Sequence, residues 1–163
     1  ARALCDFPRF NASLTSDGER LVLKGYVHIG IAVDTEYGLM VPVIRDVNEK
    51  GLWQIASEIS DLAKRAQARK IKPEEMGGAS MTITNLGGIG GTAFTPIVNP
   101  PEVAILGLTR TEMTPVWNGE VFAPVPMVPL DLSYDHRVIN GAEAARFVAH
   151  LAGLIADPRE LLV

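Results

Sequence analysis

Apolar residues alternate with polar or small ones at Val27, Ile29, Ile31 and Val33, a period of two that predicts a half-buried strand. Asp34–Gly38 reads as a turn. Leu39–Ile44 reads as a second strand, but Pro42 cannot donate to a ladder and makes it an edge, a bulge or an interrupted strand. The period then changes. Leu52, Ile55, Ala56, Ile59, Leu62, Ala63 and Ala66 recur at intervals of three and four, the stripe of an amphipathic helix, and Asp46–Glu49 can supply its N-terminal cap. Ser80–Asn85 predicts a strand that runs into a glycine-rich loop, Leu86–Pro96. Glu102–Thr109 is almost continuously apolar, as a strand buried on both faces would be. Asn118-Gly119 between two short β-type runs is a strong hairpin signal. Along Met127–Tyr134 the residues Val128, Leu130, Leu132 and Tyr134 share one strand face. A last helix has Ala144, Ala145, Val148, Leu151, Ala152 and Ile155 as its stripe. Asn140 and Glu143 form its capping box, and Asp157-Pro158 ends it and starts a short terminal turn.

About six or seven strands and two long helices result. The strands after Ser80 are expected to join by hairpins and short loops. The class is therefore α+β, a mixed and largely antiparallel sheet covered on one face by helices.

The 163 residues amount to one domain, long enough to fold without disulfide or metal. A net charge of −4 speaks against a sequence-independent grip on nucleic acid. Lys64, Arg65, Arg69, Lys70 and Lys72 read as the solvated face and last turn of a helix, with an anion contact as the alternative. Cys5 is the only cysteine. It reads as a small half-buried hydrophobe and suits a reducing compartment. The uncharged stretch Met76–Pro101 is too broken by glycine and proline to cross a bilayer. The chain opens without an initiator Met, so a piece of a longer protein is expected.

Candidate chemistry narrows quickly. Gly88, Gly90 and Ala93 match a loose dinucleotide fingerprint, but Pro96, Pro100 and Pro101 forbid the helix that would hold the phosphates. His28, His136 and His150 show no metal-ligand spacing. His150 is expected on a solvated helix face, and His28 in a structural or interfacial place. Ser133, Asp135 and His136 cannot form a triad alone, because neighbours along a strand point to opposite faces. That leaves His136 at a strand-to-helix corner. Asp135 and Arg137 are expected on the opposite face, paired with groups elsewhere so as to lock the corner. From the residues alone, His136 is either a satisfied structural histidine or a general base held between rigid elements.

The stretch Asp135–Ala142, DHRVINGA, resembles the signature of the dihydrolipoamide acyltransferases, the core components of 2-oxo acid dehydrogenase complexes. FPRFNASL, YVHIGIAVDTEYGLMVPVIRD, MTITNLGGIGGTAFTPIVNPPEVAILG, PVWNGE and LSYDHRVINGAEAARF also resemble family blocks, in family order and over nearly the whole chain. The glycine-rich block together with DHRVINGA most resembles the pyruvate-complex branch, which transfers acetyl.

The resemblance implies a two-layer sandwich of the chloramphenicol acetyltransferase kind, with residues 1–163 forming an acyltransferase catalytic domain that lacks its N-terminal part. It implies acetyl transfer between a dihydrolipoyl thiol and coenzyme A, the lipoyl group being carried on a separate upstream domain. His136 takes the role of general base. Thr84, where the family usually has serine, takes that of oxyanion donor. Asn140 is carried over as an orienting or capping residue, Phe94 and Leu106 as channel lining, and Asp135 and Arg137 as structural residues of the corner. No metal is implied. Implied partners are further copies of the chain, as a trimer and a cubic or dodecahedral core, together with the lipoyl domain, the decarboxylase and the dihydrolipoamide dehydrogenase. Neither nucleic acid nor a membrane is implied, and the compartment is a bacterial cytoplasm or a mitochondrial matrix. The chemistry is undemanding. An ordinary imidazole (about 6.5) lies about two pKa units below an ordinary thiol (about 8.5), or roughly 2.7 kcal/mol uphill. A non-catalytic scaffold, transfer of a succinyl or branched-chain acyl group, and an acetyltransferase acting on a small hydroxylated acceptor are the alternatives.

Overall fold

The computed structural model describes residues 1–157 and Arg159. The terminal turn expected after Pro158 lies outside the described residues. In chain order the elements are α1 (Arg2–Asp6), β1 (Ala12–Leu14), β2 (Leu21–Leu23), β3 (Ile29–Ile31), β4 (Val33–Thr35), β5 (Gly38–Met40), β6 (Val43–Ile44), α2 (Leu52–Gln67), β7 (Met81–Asn85), β8 (Ala104–Leu108), β9 (Glu112–Trp117), β10 (Phe122–Met127), β11 (Leu130–Tyr134) and α3 (Gly141–Ala156). The strand expected over Val27–Val33 is divided at Ala32, with β3 in the main sheet and β4 in a hairpin with β5. The run expected over Leu39–Ile44 is broken at Val41-Pro42, where proline removes a ladder donor.

Five strands form the central sheet in the order β11-β8-β7-β3-β6. β3, β7 and β8 are parallel, while β6 and β11 flank them antiparallel. The α+β class holds, but the largely antiparallel sheet does not. Parallel neighbours need crossovers. α2 lies in the one between β3 and β7, and irregular chain from 86 to 103 makes the one between β7 and β8. The Asn118-Gly119 signal is realised in the β9–β10 ribbon. Asn118 Oδ1 accepts from the N–H groups of Glu120 (3.0 Å) and Val121 (2.9 Å), and Gly119 takes φ 105°.

Strand alternation gives the sheet two unlike faces. One carries the row Ile31, Ile83, Leu106 and Leu132, adjacent across four strands and part of the hydrophobic core. The other carries the row Thr84, Gly107 and Asp131. The core also holds Phe10, which stacks on Phe147 of α3 with ring centroids 4.1 Å apart.

Both helices depart from their expected stripes. In α3 the buried residues are Ala144, Phe147 and Leu154, with Val148 and Leu151 packed beside them, whereas Ala145, Ala152 and Ile155 are exposed. The large Phe147 and Leu154 set the orientation, and small alanines do not. In α2 only Leu62 and Ala66 are buried; Leu52, Ala56 and Ile59 are exposed, and Trp53 is 86% exposed. Val47–Glu49 is a separate 3-10 turn, and Gly51 caps α2 without a side chain, so Asp46–Glu49 is not its cap. His28 is buried: its Nδ1 accepts from the backbone N–H of Asp46 (2.9 Å) and Tyr26 stacks on its ring, a structural role. His150 is not simply solvated, since Nε2 lies 3.0 Å from Asp6 Oδ2. Cys5 is exposed rather than half-buried. No helix of the described residues is long and apolar enough to cross a membrane.

Candidate active site

His136 stands on the turn between β11 and α3, with its side chain exposed. The turn is tied at both ends. The Asp135 N–H donates to the carbonyl of Val103 (2.8 Å), and the Asp135 carbonyl accepts from Val138 and Ile139, both at 3.0 Å. Val138 and Ile139 are buried in the core. Asn140 Oδ1 accepts from the Glu143 N–H (2.9 Å), the N-cap half of the expected capping box, while the Glu143 carboxylate faces Arg9 instead of the Asn140 N–H. Asp135 and Arg137 do not reach to other elements, contrary to expectation. They pair with each other, Arg137 Nη2 to Asp135 Oδ2 at 2.6 Å and Nε to Oδ1 at 3.0 Å. The guanidinium holds the Asp135 carboxyl below the usual carboxylate range. Two residues apart across a tight turn, they meet without help.

The imidazole itself is left available. Among the described residues its side-chain contact is the Tyr134 ring, with centroids 5.6 Å apart, and nothing hydrogen-bonds it. A cleft of about 530 Å³ opens beside the corner, with Tyr134, Asp135, Arg137, Ser16, Pro101 and Glu102 in its wall. His136 is a neighbour of that wall and not part of it.

Thr84 lies elsewhere. It sits half-buried near the C-terminal end of β7, opposite Gly107, which is opposite Asp131. Phe94, from the glycine-rich loop, fills the space above Gly107. A Cβ there would stand 2.7 Å from Phe94 Cζ and 3.2 Å from Asp131 Cβ, so only glycine admits the ring. Asp131 Oδ2 accepts from the Phe94 N–H at 3.4 Å, and Thr109 Oγ1 donates to the Thr92 carbonyl at 3.1 Å. Phe94 is therefore fixed over Gly107, whose backbone lies about one strand spacing, 4.8 Å, from that of Thr84. Leu106 is not beside it. It points to the opposite face and is buried in the core of this chain.

The two chemical groups do not meet within one chain. Tyr134 pairs with Ala104 and Thr84 with Gly107, three residues further along β8. His136 lies beyond Tyr134. At about 3.3 Å per residue and about 4.8 Å per strand, the backbones of His136 and Thr84 are at least roughly 14 Å apart.

Sequence reasoning missed Glu102. It is 7% exposed, and burial raises its carboxyl pKa against the opposing influence of Thr82, Lys24 and Asn99. Among the described residues its Oε2 and the Thr82 hydroxyl have no partner in hydrogen-bonding geometry. Lys24 Nζ donates to the Ala79 carbonyl at 2.6 Å, and burial lowers its pKa. An acid opening the otherwise apolar run EVAIL was a visible signal. Among the described residues no group of three or more His, Cys, Asp or Glu is placed to hold a metal ion.

The mixed sheet, the corner histidine and the α3 cap define a class. Residues 1–163 match the family model of the 2-oxoacid dehydrogenases acyltransferase catalytic domain, and the chain belongs to that family. Its relatives include the dihydrolipoyllysine-residue acetyltransferase components of the pyruvate dehydrogenase complexes of Pseudomonas aeruginosa and Azotobacter vinelandii. They are 58% and 56% identical over the whole of this chain, which spans only 30% and 26% of their lengths. The solved cubic core of a pyruvate dehydrogenase multienzyme complex is 57% identical with a TM-score of 0.96, over 98% of this chain and 66% of that one. The Azotobacter vinelandii dihydrolipoamide acetyltransferase structure, from a study of a serine, a histidine and an asparagine in its catalytic mechanism, also has a TM-score of 0.96, at 56% identity and the same coverage. A chloramphenicol acetyltransferase, 16% identical, matches 90% of this chain and 69% of its own with a TM-score of 0.56, and shows the shared fold.

Proposed function

We propose that the chain transfers an acetyl group between a dihydrolipoyl thiol and coenzyme A, at a site built from His136 of one copy and Thr84 of another. The observation that carries this is their placement: an exposed imidazole on a tied corner, without a hydrogen-bond partner among the described residues, and a half-buried hydroxyl two strands away on β7, their backbones at least roughly 14 Å apart within one chain. The mechanistic study of the Azotobacter vinelandii enzyme supports the choice of residues. Its histidine and asparagine are spaced as His136 and Asn140 are, and its serine precedes the histidine by the same number of residues as Thr84 does.

The imidazole takes the proton of the attacking coenzyme A thiol. The sulfur forms a bond to the acetyl carbon, and the carbonyl electron pair moves to oxygen. The Thr84 hydroxyl donates to that oxyanion, an effect worth about 2.7–4 kcal/mol in a comparable site. The bond to the dihydrolipoyl sulfur then breaks, and the imidazolium returns the proton to it. Asn140 commits Oδ1 to the helix cap, which leaves it an orienting role.

Self-association as a trimer and then a larger core supplies the second copy. Exposed Trp53 and Leu52 on α2, and Met113, Val116, Trp117 and Phe122 on the β9–β10 ribbon, are apolar surface suited to such contacts. The lipoyl domain, the decarboxylase and the dihydrolipoamide dehydrogenase are the further partners. A bacterial cytoplasm or a mitochondrial matrix suits free-thiol chemistry. The test is acetyl transfer between dihydrolipoamide and coenzyme A. His136→Ala is expected to lose about a thousandfold in kcat with assembly unchanged, and turnover near the parent rate would remove the general-base role.

A further inference from the structure

One tie at the His136 corner comes from far away in the chain. Arg9 lies in the 3-10 turn Pro8–Phe10, whose Phe10 is fully buried against α3. Its Nη2 donates to the carbonyl of Val138, and its Nη1 stands 3.7 Å from Glu143 Oε2. Glu143 is also the residue whose N–H Asn140 caps. The guanidinium thus spans the chain between the His136 turn and the first turn of α3. Among the described residues the corner's other hydrogen bonds are local, or come from Val103 on the strand side. Arg9 braces the helix side.

We propose that Arg9 is a positioning residue for His136, holding the turn so that the imidazole keeps a fixed direction into the site. This rests on the reading of His136 as the base. A general base works only within hydrogen-bond reach of its proton, and small misplacements are costly. The planar fork suits the task, because one terminal nitrogen hydrogen-bonds the Val138 carbonyl while the other faces the Glu143 carboxylate as an ion pair. A lysine ammonium would act as a point charge.

The experiment compares Arg9→Gln, Arg9→Lys and His136→Ala with the parent in the assembled protein, by steady-state acetyl transfer and native mass. Arg9→Gln is expected to lower kcat about tenfold, leave the KM for coenzyme A and dihydrolipoamide within about twofold, and assemble normally. Arg9→Lys should recover part of the lost kcat. Parent kcat in Arg9→Gln overturns the proposal. Failure to assemble, or a fall in kcat matched by equal changes in both KM values, also overturns it by assigning Arg9 to general folding. The base reading fails separately, only if His136→Ala stays active.

Discussion

The two ends of the candidate site are held by different means. His136 stands on a turn whose bonds are mostly local, with the Asp135 carbonyl, the Asp135–Arg137 pair and the Asn140 cap all between Asp135 and Glu143. Thr84 is surrounded by distant chain: Gly107 beside it in register on β8, Phe94 seated on Gly107, and Asp131 holding the Phe94 backbone. A base must keep a direction, and a tight turn with a capped helix behind it achieves that cheaply. An oxyanion donor must sit in a shaped pocket, and the shape needs several strands. The difference implies that substitutions near His136 act on rate, whereas those around Thr84 also act on fit.

Three changes would break or sharpen that contrast. The largest effect is expected from Thr84→Ala, which removes the hydroxyl and should lower kcat about a hundredfold or more, with Thr84→Ser retaining most activity. Equal rates in the three proteins would eliminate the oxyanion role. Next comes Gly107→Ala. Its methyl overlaps the Phe94 ring, so the ring must shift at an overpacking cost of about 1–3 kcal/mol. Thermal melting should show the loss, and KM for the acyl donor should change. An unaltered KM would separate Phe94 from the substrate path.

The smallest effect concerns Glu102, whose pKa is raised in the folded protein by burial. A raised acid favours folding while protonated, and that contribution is lost as pH rises through the folded pKa. Glu102→Gln should therefore melt higher than the parent at neutral pH, with the gap closing in acid. A gap that widened in acid would mean that the ionised form, near Lys24, is the stabilising one.

What the sequence revealed follows the same division. The Asn140–Glu143 cap, the hairpin at Asn118-Gly119 and the corner position of His136 are local patterns, and all were legible. The Thr84–Gly107–Asp131 row was not, because it depends on strand register. Phe94 was named from family resemblance, but its seat on Gly107 is a tertiary contact. The parallel pairing of β7 with β8 was missed because its crossover is irregular chain rather than a helix. The α3 stripe was misjudged by following the alanines. In α2, Leu52, Ala56 and Ile59 look like core by their spacing, yet they are exposed in a single chain. Periodicity marks a face to be covered and cannot say by what.

The proposed sharing of the site between copies is tested most directly by mixing two variants expected to be inactive. His136→Ala and Thr84→Ala proteins, dissociated together and reassembled into verified mixed oligomers, should recover a substantial part of the parent acetyl transfer, because some interfaces pair an intact His136 with an intact Thr84. Mixed oligomers as inactive as either protein alone would contradict a site made from two copies.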